Sequence, residues 1–213
     1  MFFSRLREEY LNIKDGAMFL ELKRYVRKIK HYIEHLTDRG GVPAPYRVKR
    51  KLLLNFFPDS SIIIETGTYL GETKRVFSKH FPFTYTIEPH PPFFHYNERC
   101  FRSNQRLKVV KGVGEEVLPY LLTSVSGDVG FWLDGHFSGT GGHGEVSESS
   151  PMLRKLEAIA SWANLDAGKH KPFIAIDDAR LFVGVDGYPT LDKVSEVAAR
   201  WIWRQKYSAI SFS

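Results

Sequence analysis

The sequence is nearly devoid of cysteine: Cys100 is the only one in 213 residues. One thiol closes no disulfide within the chain and builds no thiolate metal cluster, so the fold must rest on its apolar core, and a reducing, cytoplasmic setting is expected. Long apolar runs are missing too. None approaches the roughly 20 residues that cross a bilayer, so no membrane span is expected. The start, Met1-Phe2-Phe3-Ser4-Arg5-Leu6-Arg7-Glu8-Glu9, carries charges where a signal peptide has its apolar segment. No internal repeat is visible. Core-forming material is plentiful: 43% of the residues are hydrophobic and 25% charged, which suits one buried domain with an appendage.

An excess of positive charge is lacking except at one end. The net charge is +6, yet residues 1–51 hold 13 Lys/Arg against 6 Asp/Glu and the rest of the chain holds 17 against 18. Within the basic part, Met18, Phe19, Leu22, Tyr25, Val26, Ile29, Tyr32, Ile33 and Leu36 recur at three and four residues, the period of an amphipathic helix. Gly40-Gly41-Val42-Pro43-Ala44-Pro45 ends it. Its cationic face reads first as solvated surface on a flanking helix; the functional reading is a lid or a dimerisation helix that would make a homo-oligomer. The division expected is 1–57, a basic helical segment, and 58–213, an α/β domain.

From Ser61 the patterns alternate. Strand candidates are Ser61–Glu65, Phe83–Glu88, Leu107–Lys111, Val129–Leu133 and Phe173–Asp177, with helix candidates between them and a helix at Tyr46–Phe57 before the first. Residues 207–213 alternate like a last strand. Such alternation predicts a doubly wound, mostly parallel sheet covered on both faces, with a shortened C-terminal end. The centre of interest is Ser61-Ile62-Ile63-Ile64-Glu65-Thr66-Gly67-Thr68-Tyr69-Leu70-Gly71: a β-branched run, an acid, then two glycines four residues apart. This is a strand, a tight turn and a helix start, and ligands bind there beside exposed backbone N–H groups.

Acidic residues end several predicted strands: Glu65, Glu88, Asp134 and Asp177, the last followed by Asp178. Parallel strands place these ends on one edge, so the carboxylates converge, although each alone reads as a turn former or cap. Glu88 follows Gly71 by 17 residues and is placed to accept the hydroxyls of a ribose. The turn lacks the G-x-G-x-x-G spacing that admits a pyrophosphate, so a nucleoside without a diphosphate fits better than a nicotinamide dinucleotide. Beyond Asp134, Gly135-His136-Phe137-Ser138-Gly139-Thr140-Gly141-Gly142-His143-Gly144 is a glycine-rich loop at the same edge. His136 is the candidate general base, with His143 read as solvent-exposed.

The order Glu65-x-Gly67-x-x-x-Gly71, Glu88, Trp132-Leu133-Asp134-Gly135-His136 and Ile176-Asp177-Asp178-Ala179-Arg180 resembles the class I S-adenosylmethionine (SAM)-dependent methyltransferases. In particular it is similar to bacterial macrocin-type O-methyltransferases and to uncharacterised relatives associated with sugar and polysaccharide modification. The resemblance spans about Ser61 to Thr190. It implies a Rossmann-like fold, SAM as cofactor, and a hydroxyl of a small molecule or sugar as methyl acceptor. Glu65, Gly67, Thr68 and Gly71 would line the methionine and ribose portion, Glu88 would hold the ribose, and Asp134 would face the cofactor. Asp134, Asp177 and Asp178 would bind Mg²⁺, with Asp134 and His136 as the catalytic pair; otherwise Asp134 and Asp177 cap turns and Asp178 pairs with Arg180. One departure is Lys111-Gly112-Val113-Gly114-Glu115: Val113 stands where such enzymes often carry an Asp near the adenine, so either backbone or Glu115 would substitute or cofactor affinity would be reduced.

Two other classes compete. A nucleic-acid methyltransferase would use the basic N-terminus, but the Pro-Pro-aromatic string of base-amino methyltransferases is absent after the fourth strand, and its nearest likeness, His90-Pro91-Pro92-Phe93, follows the second; nucleic acid is not the expected partner. A non-catalytic partner subunit with a cofactor fold is the other, motivated by Val113 and the short end of the sheet.

Overall fold

The computed structural model describes residues 46–133, 151–165, 169–177, 179–185, 188–202 and 209–211. In order they form α1 (Tyr46–Phe56), β1 (Ile62–Thr66), α2 (Glu72–His80), β2 (Phe83–Glu88), α3 (Pro91–Phe101), β3 (Leu107–Lys111), α4 (Gly114–Leu122), β4 (Gly127–Leu133), α5 (Pro151–Leu165), β5 (His170–Ile176), a 3₁₀ turn (Ala179–Leu181), α6 (Leu191–Ile202) and β6 (Ala209–Ser211). The basic helix expected at Ala17–Thr37 lies outside the described residues. A compact unit runs from Arg50 to Ser213.

The strands form one sheet of order β3-β2-β1-β4-β5-β6, and every pairing is parallel. The chain winds outward from β1 to β3, then crosses back and winds outward from β4. The switch in direction falls between β1 and β4. The fold is therefore the doubly wound, Rossmann-like α/β class that the alternating pattern predicts. The strand read from the tail exists, and β6 pairs parallel with β5 at the sheet's edge.

The unbroken isoleucine run has a direct cause in the two-faced core. Ile63 and Ile64 are both fully buried, but on opposite faces, because successive side chains of a strand alternate. Ile63 packs with Leu53 and Phe57 of α1 and its end, and with Phe77 and Phe81 at α2. Ile64 packs with Leu118 and Leu122 of α4, Leu156 and Ile159 of α5, and Val194 and Val197 of α6. β1 carries no polar alternation because neither of its faces meets water. The same alternation continues past the isoleucines: Glu65 turns to the α2 face and Thr66 to the α4 and α5 face.

Candidate cofactor site

Glu65 and Thr66 end β1 at the switch point, where the strand pairs with β2 through Thr66↔Ile87 and with β4 through Thr66↔Leu133. A carboxylate 2% exposed in that position needs donors. One comes from the neighbouring strand: Thr86 Oγ1 donates to Glu65 Oε2 at 2.6 Å. Thr86 has one hydroxyl hydrogen, and Glu65 takes it, so Thr68 Oγ1 must be the donor in its 2.6 Å contact with Thr86 Oγ1. Thr68 thus turns inward and orders the carboxylate through Thr86, while its backbone carries the turn. On the other face Thr66 Oγ1 is buried with no hydrogen-bond partner among the described residues.

The turn that follows is tightly specified. Gly67 and Gly71 have φ of 90° and 73°, left-handed values that a Cβ disfavours, and Tyr69 takes φ 45° without being glycine. Tyr69 is held there from both sides. Its N–H donates to Glu88 Oε2 at 2.8 Å, and its carbonyl accepts from Asn97 Nδ2 at 2.6 Å. Glu88 Oε1 accepts the N–H of His90 at 2.9 Å, so this one carboxylate ties the β1–α2 turn to the β2–α3 turn. Glu88 is 4% exposed. Burial pushes its pKa up, and the N–H groups of His90 and Tyr69, followed by the charges of His90 and Lys74, pull it back toward the ionised form. Each oxygen still has a lone pair for a ligand hydroxyl.

Gly71 has a second reason to be glycine. A Cβ there would overlap Lys74 Cε and lie 2.7 Å from Asn97 Oδ1. The space above its Cα is filled by protein. Gly71→Ala should therefore combine left-handed strain with overpacking and cost about 2–3 kcal/mol, measurable as a fall in the urea midpoint.

Lys74 itself is fully buried, and its Nζ has no hydrogen-bond partner among the described residues. The ammonium sits 4.5 Å from the centroid of the Phe101 ring. Desolvation lowers its pKa from 10.5 to about 7, against the charges of Glu65, Cys100 and Glu88, which raise it, and Arg75, which lowers it further. Between pH 7 and 10.5 the unfolded chain binds this proton and the folded chain does not, so the Lys74 contribution to stability improves as pH rises through that window. Thermal unfolding at pH 6.5 and 9.5 should show a smaller pH-dependent gain in Lys74→Met than in the wild type.

At the third strand, Gly112 N–H donates to the Glu88 carbonyl at 3.1 Å, which brings Val113 beside the same turn. Val113 precedes α4 without a side-chain cap and is 38% exposed. Glu115 pairs with Arg154 of α5 at 3.1 Å, so its carboxylate is engaged across the helix pair. Lys155, the next residue on α5, is buried, and its Cε lies 2.9 Å from where a Gly114 Cβ would be, close to Thr66. On the far side of the switch point, Asp177 N–H donates to the Leu133 carbonyl at 2.9 Å, which sets Asp177 at the carboxyl end of β4 and β5.

The structure thus brings Glu65, Gly67, Thr68, Gly71 and Glu88 into one turn system, with Gly112 and Val113 beside it and Asp177 along the same edge. Asp134, His136, His143 and Asp178 lie outside the described residues. Among the described residues no group of three His, Cys, Asp or Glu is placed to hold a metal ion. Four contributors escaped the sequence reading: Thr86, Asn97, Lys74 and Lys155. Only Lys74 left a signal, as a charge on the buried stripe that continues through Phe77, Ser78 and Phe81.

No family model and no curated protein matches the chain. Solved structures do. A TehB-like SAM-dependent methyltransferase of Corynebacterium glutamicum has 15% identity and a TM-score of 0.47, with 80% of each chain covered. An rRNA methylase of Streptococcus thermophilus has 11% identity and a TM-score of 0.45, covering 75% of this chain and 80% of that one. A precorrin-6y C5,15-methyltransferase of Geobacter metallireducens has 13% identity and a TM-score of 0.43, covering 70% and 66%. These are likenesses of fold, and the site is read from this chain's own residues.

Proposed function

We propose that the chain is a SAM-dependent methyltransferase that acts on a hydroxyl of a small molecule or sugar. The observation that carries the reading is the placement of two buried carboxylates, Glu65 and Glu88, on either side of a left-handed glycine turn at the switch point of a parallel sheet. A nucleoside with a cationic amino-acid arm matches that charge and shape. Glu88 accepts the ribose hydroxyls, Glu65 faces the amino-acid end, and Gly67, Thr68 and Gly71 present the turn between them. Val113 offers the adenine an apolar contact, and the backbone beside it takes the polar part that Glu115, paired with Arg154, leaves open.

When bound, SAM supplies a methyl group on a sulfonium. The chain's own part is orientation and proton removal: the turn and Glu88 fix the cofactor, and the roles assigned to Asp134, His136 and Asp177 are toward the acceptor hydroxyl, with His136 taking its proton. Mg²⁺ at Asp134, Asp177 and Asp178 would acidify that hydroxyl. Metal dependence has its own readout: with the Mg²⁺ reading, EDTA stops turnover and leaves cofactor affinity unchanged, and without it neither changes. Asp134→Asn should abolish transfer of a labelled methyl group while leaving SAM affinity within about threefold; full activity in that variant would remove Asp134 from the reaction.

The engagement of Glu115 by Arg154 favours a second reading, a cofactor-fold subunit that performs no transfer. It predicts no methyl transfer to any pool of small hydroxylated acceptors even where SAM binds.

A further inference from the structure

We propose that Lys74 is a positioning residue of this crevice, an ammonium set beneath the glycine turn that keeps Glu65 and Glu88 ionised together and so governs the grip on a cationic cofactor. The inference rests on the reading of the crevice as a SAM site, and it has a readout that does not.

A lysine on an amphipathic helix ordinarily lays its stem on apolar surface and sends its head to water. Lys74 does not: its whole side chain is enclosed, one helical turn past the glycine, and no described group accepts a hydrogen bond from its Nζ. Retaining an ammonium in such a place works against folding, which points to a role in the site. The neighbours say which role. On its own helix lies Arg75; from β1 it faces Glu65, from β2 Glu88, with His90 beyond, and from α3 Cys100 and the Phe101 ring. Two buried carboxylates on adjacent strands repel each other, and one would take up a proton without a cation nearby. Lys74, on α2, is a buried cation within electrostatic reach of both.

The same side chain also touches the scaffold of the turn. Asn97 gives both amide hydrogens away, to the carbonyls of Tyr69 and Phe93, and its Oδ1 has no partner among the described residues. That oxygen and Lys74 Nζ lie 2.7 and 2.9 Å from the same point above Gly71.

The test compares the wild type with Lys74→Met and Lys74→Gln, by calorimetry with SAM and by carbon NMR of the glutamate carboxyl groups. At pH 6.5 both variants should bind SAM about tenfold more weakly, with a melting temperature no lower than the wild type's. At pH 8.5, where the wild-type lysine has lost its proton, the difference should shrink toward none. The Glu65 and Glu88 carboxyl signals should titrate at higher pH in the variants. Equal affinity at both pH values, a pH-independent loss, or unchanged carboxyl titration would overturn the proposal. If the wild type binds no SAM, the cofactor reading falls and the carboxyl titration alone decides the role of Lys74. In the wild type those two signals should move again as Lys74 deprotonates; their failure to do so would overturn it even if neither variant folded.

Discussion

Glu88→Ala should weaken SAM binding by about 100-fold or more, on the order of 3 kcal/mol. Two losses add up in that variant. The ribose acceptor disappears, and the N–H groups of Tyr69 and His90 lose the oxygens they donate to at 2.8 and 2.9 Å. Tyr69 is in a left-handed conformation that needs such support, so the turn should loosen as well. Glu88→Gln separates the two effects, because the amide keeps one acceptor oxygen and its NH₂ opposes the second backbone donor. Its affinity should lie between those of the wild type and the alanine variant. Calorimetry reads the binding and thermal unfolding the turn. Wild-type affinity in Glu88→Ala would mean that the carboxylate serves only to join two loops.

The largest effect on stability is expected at Phe77→Ala. Phe77 is fully buried on the inward face of α2, with ring centroids 6.0 Å from Phe57 and 5.7 Å from Phe81, both in edge-on geometry. No single neighbour can refill that space, because Phe57 comes from the end of α1 and Phe81 from the end of α2. Truncation should cost about 3–5 kcal/mol, a large share of the about 5–15 kcal/mol available to a domain of this size. The urea midpoint should fall with an unchanged slope. A loss under about 1 kcal/mol would show that the three rings do not form the close-packed layer that holds α2, and with it the turn, onto the sheet.

Local pattern carried most of the fold. Strands β2 and β3 begin and end where alternation and flanking breakers place them, and β1 is shifted by a single residue. The first helix, read as Tyr46–Phe57, ends one residue earlier. β4 and β5 start earlier than expected, since Gly127 and Pro172 look like breakers in isolation; in the sheet, Gly127 opens β4 at φ 81°, and Pro172 lies buried within β5, where it pairs with β4. Their apolar neighbours pack well enough to override the local signal.

The candidate site was legible to the extent that it follows from strand ends. Glu65 and Glu88 could be placed because a parallel sheet puts every strand's last residue on one edge. Their partners could not. Thr86 is opposite Glu65 only because β1 and β2 pair in that register, Asn97 reaches Tyr69 only because α3 lies beside α2, and Arg154 meets Glu115 across 39 residues of chain. Lys74 was hidden by its type: a lysine in a helix rich in charge reads as solvent-facing unless its place on the stripe of Phe77 and Phe81 is counted. The inward turn of the Thr68 hydroxyl has the same origin, since a threonine in a ligand-binding turn reads as facing the ligand until a buried acceptor behind it is seen.

Titration calorimetry of the wild-type chain with SAM asks whether the turn between Glu65 and Glu88 is a SAM site. The expected result is one site per chain with a dissociation constant of about 1–100 µM, weakened strongly by Glu88→Ala and weakened at pH 6.5 by Lys74→Met. No binding at about 1 mM SAM, with and without Mg²⁺, would contradict it.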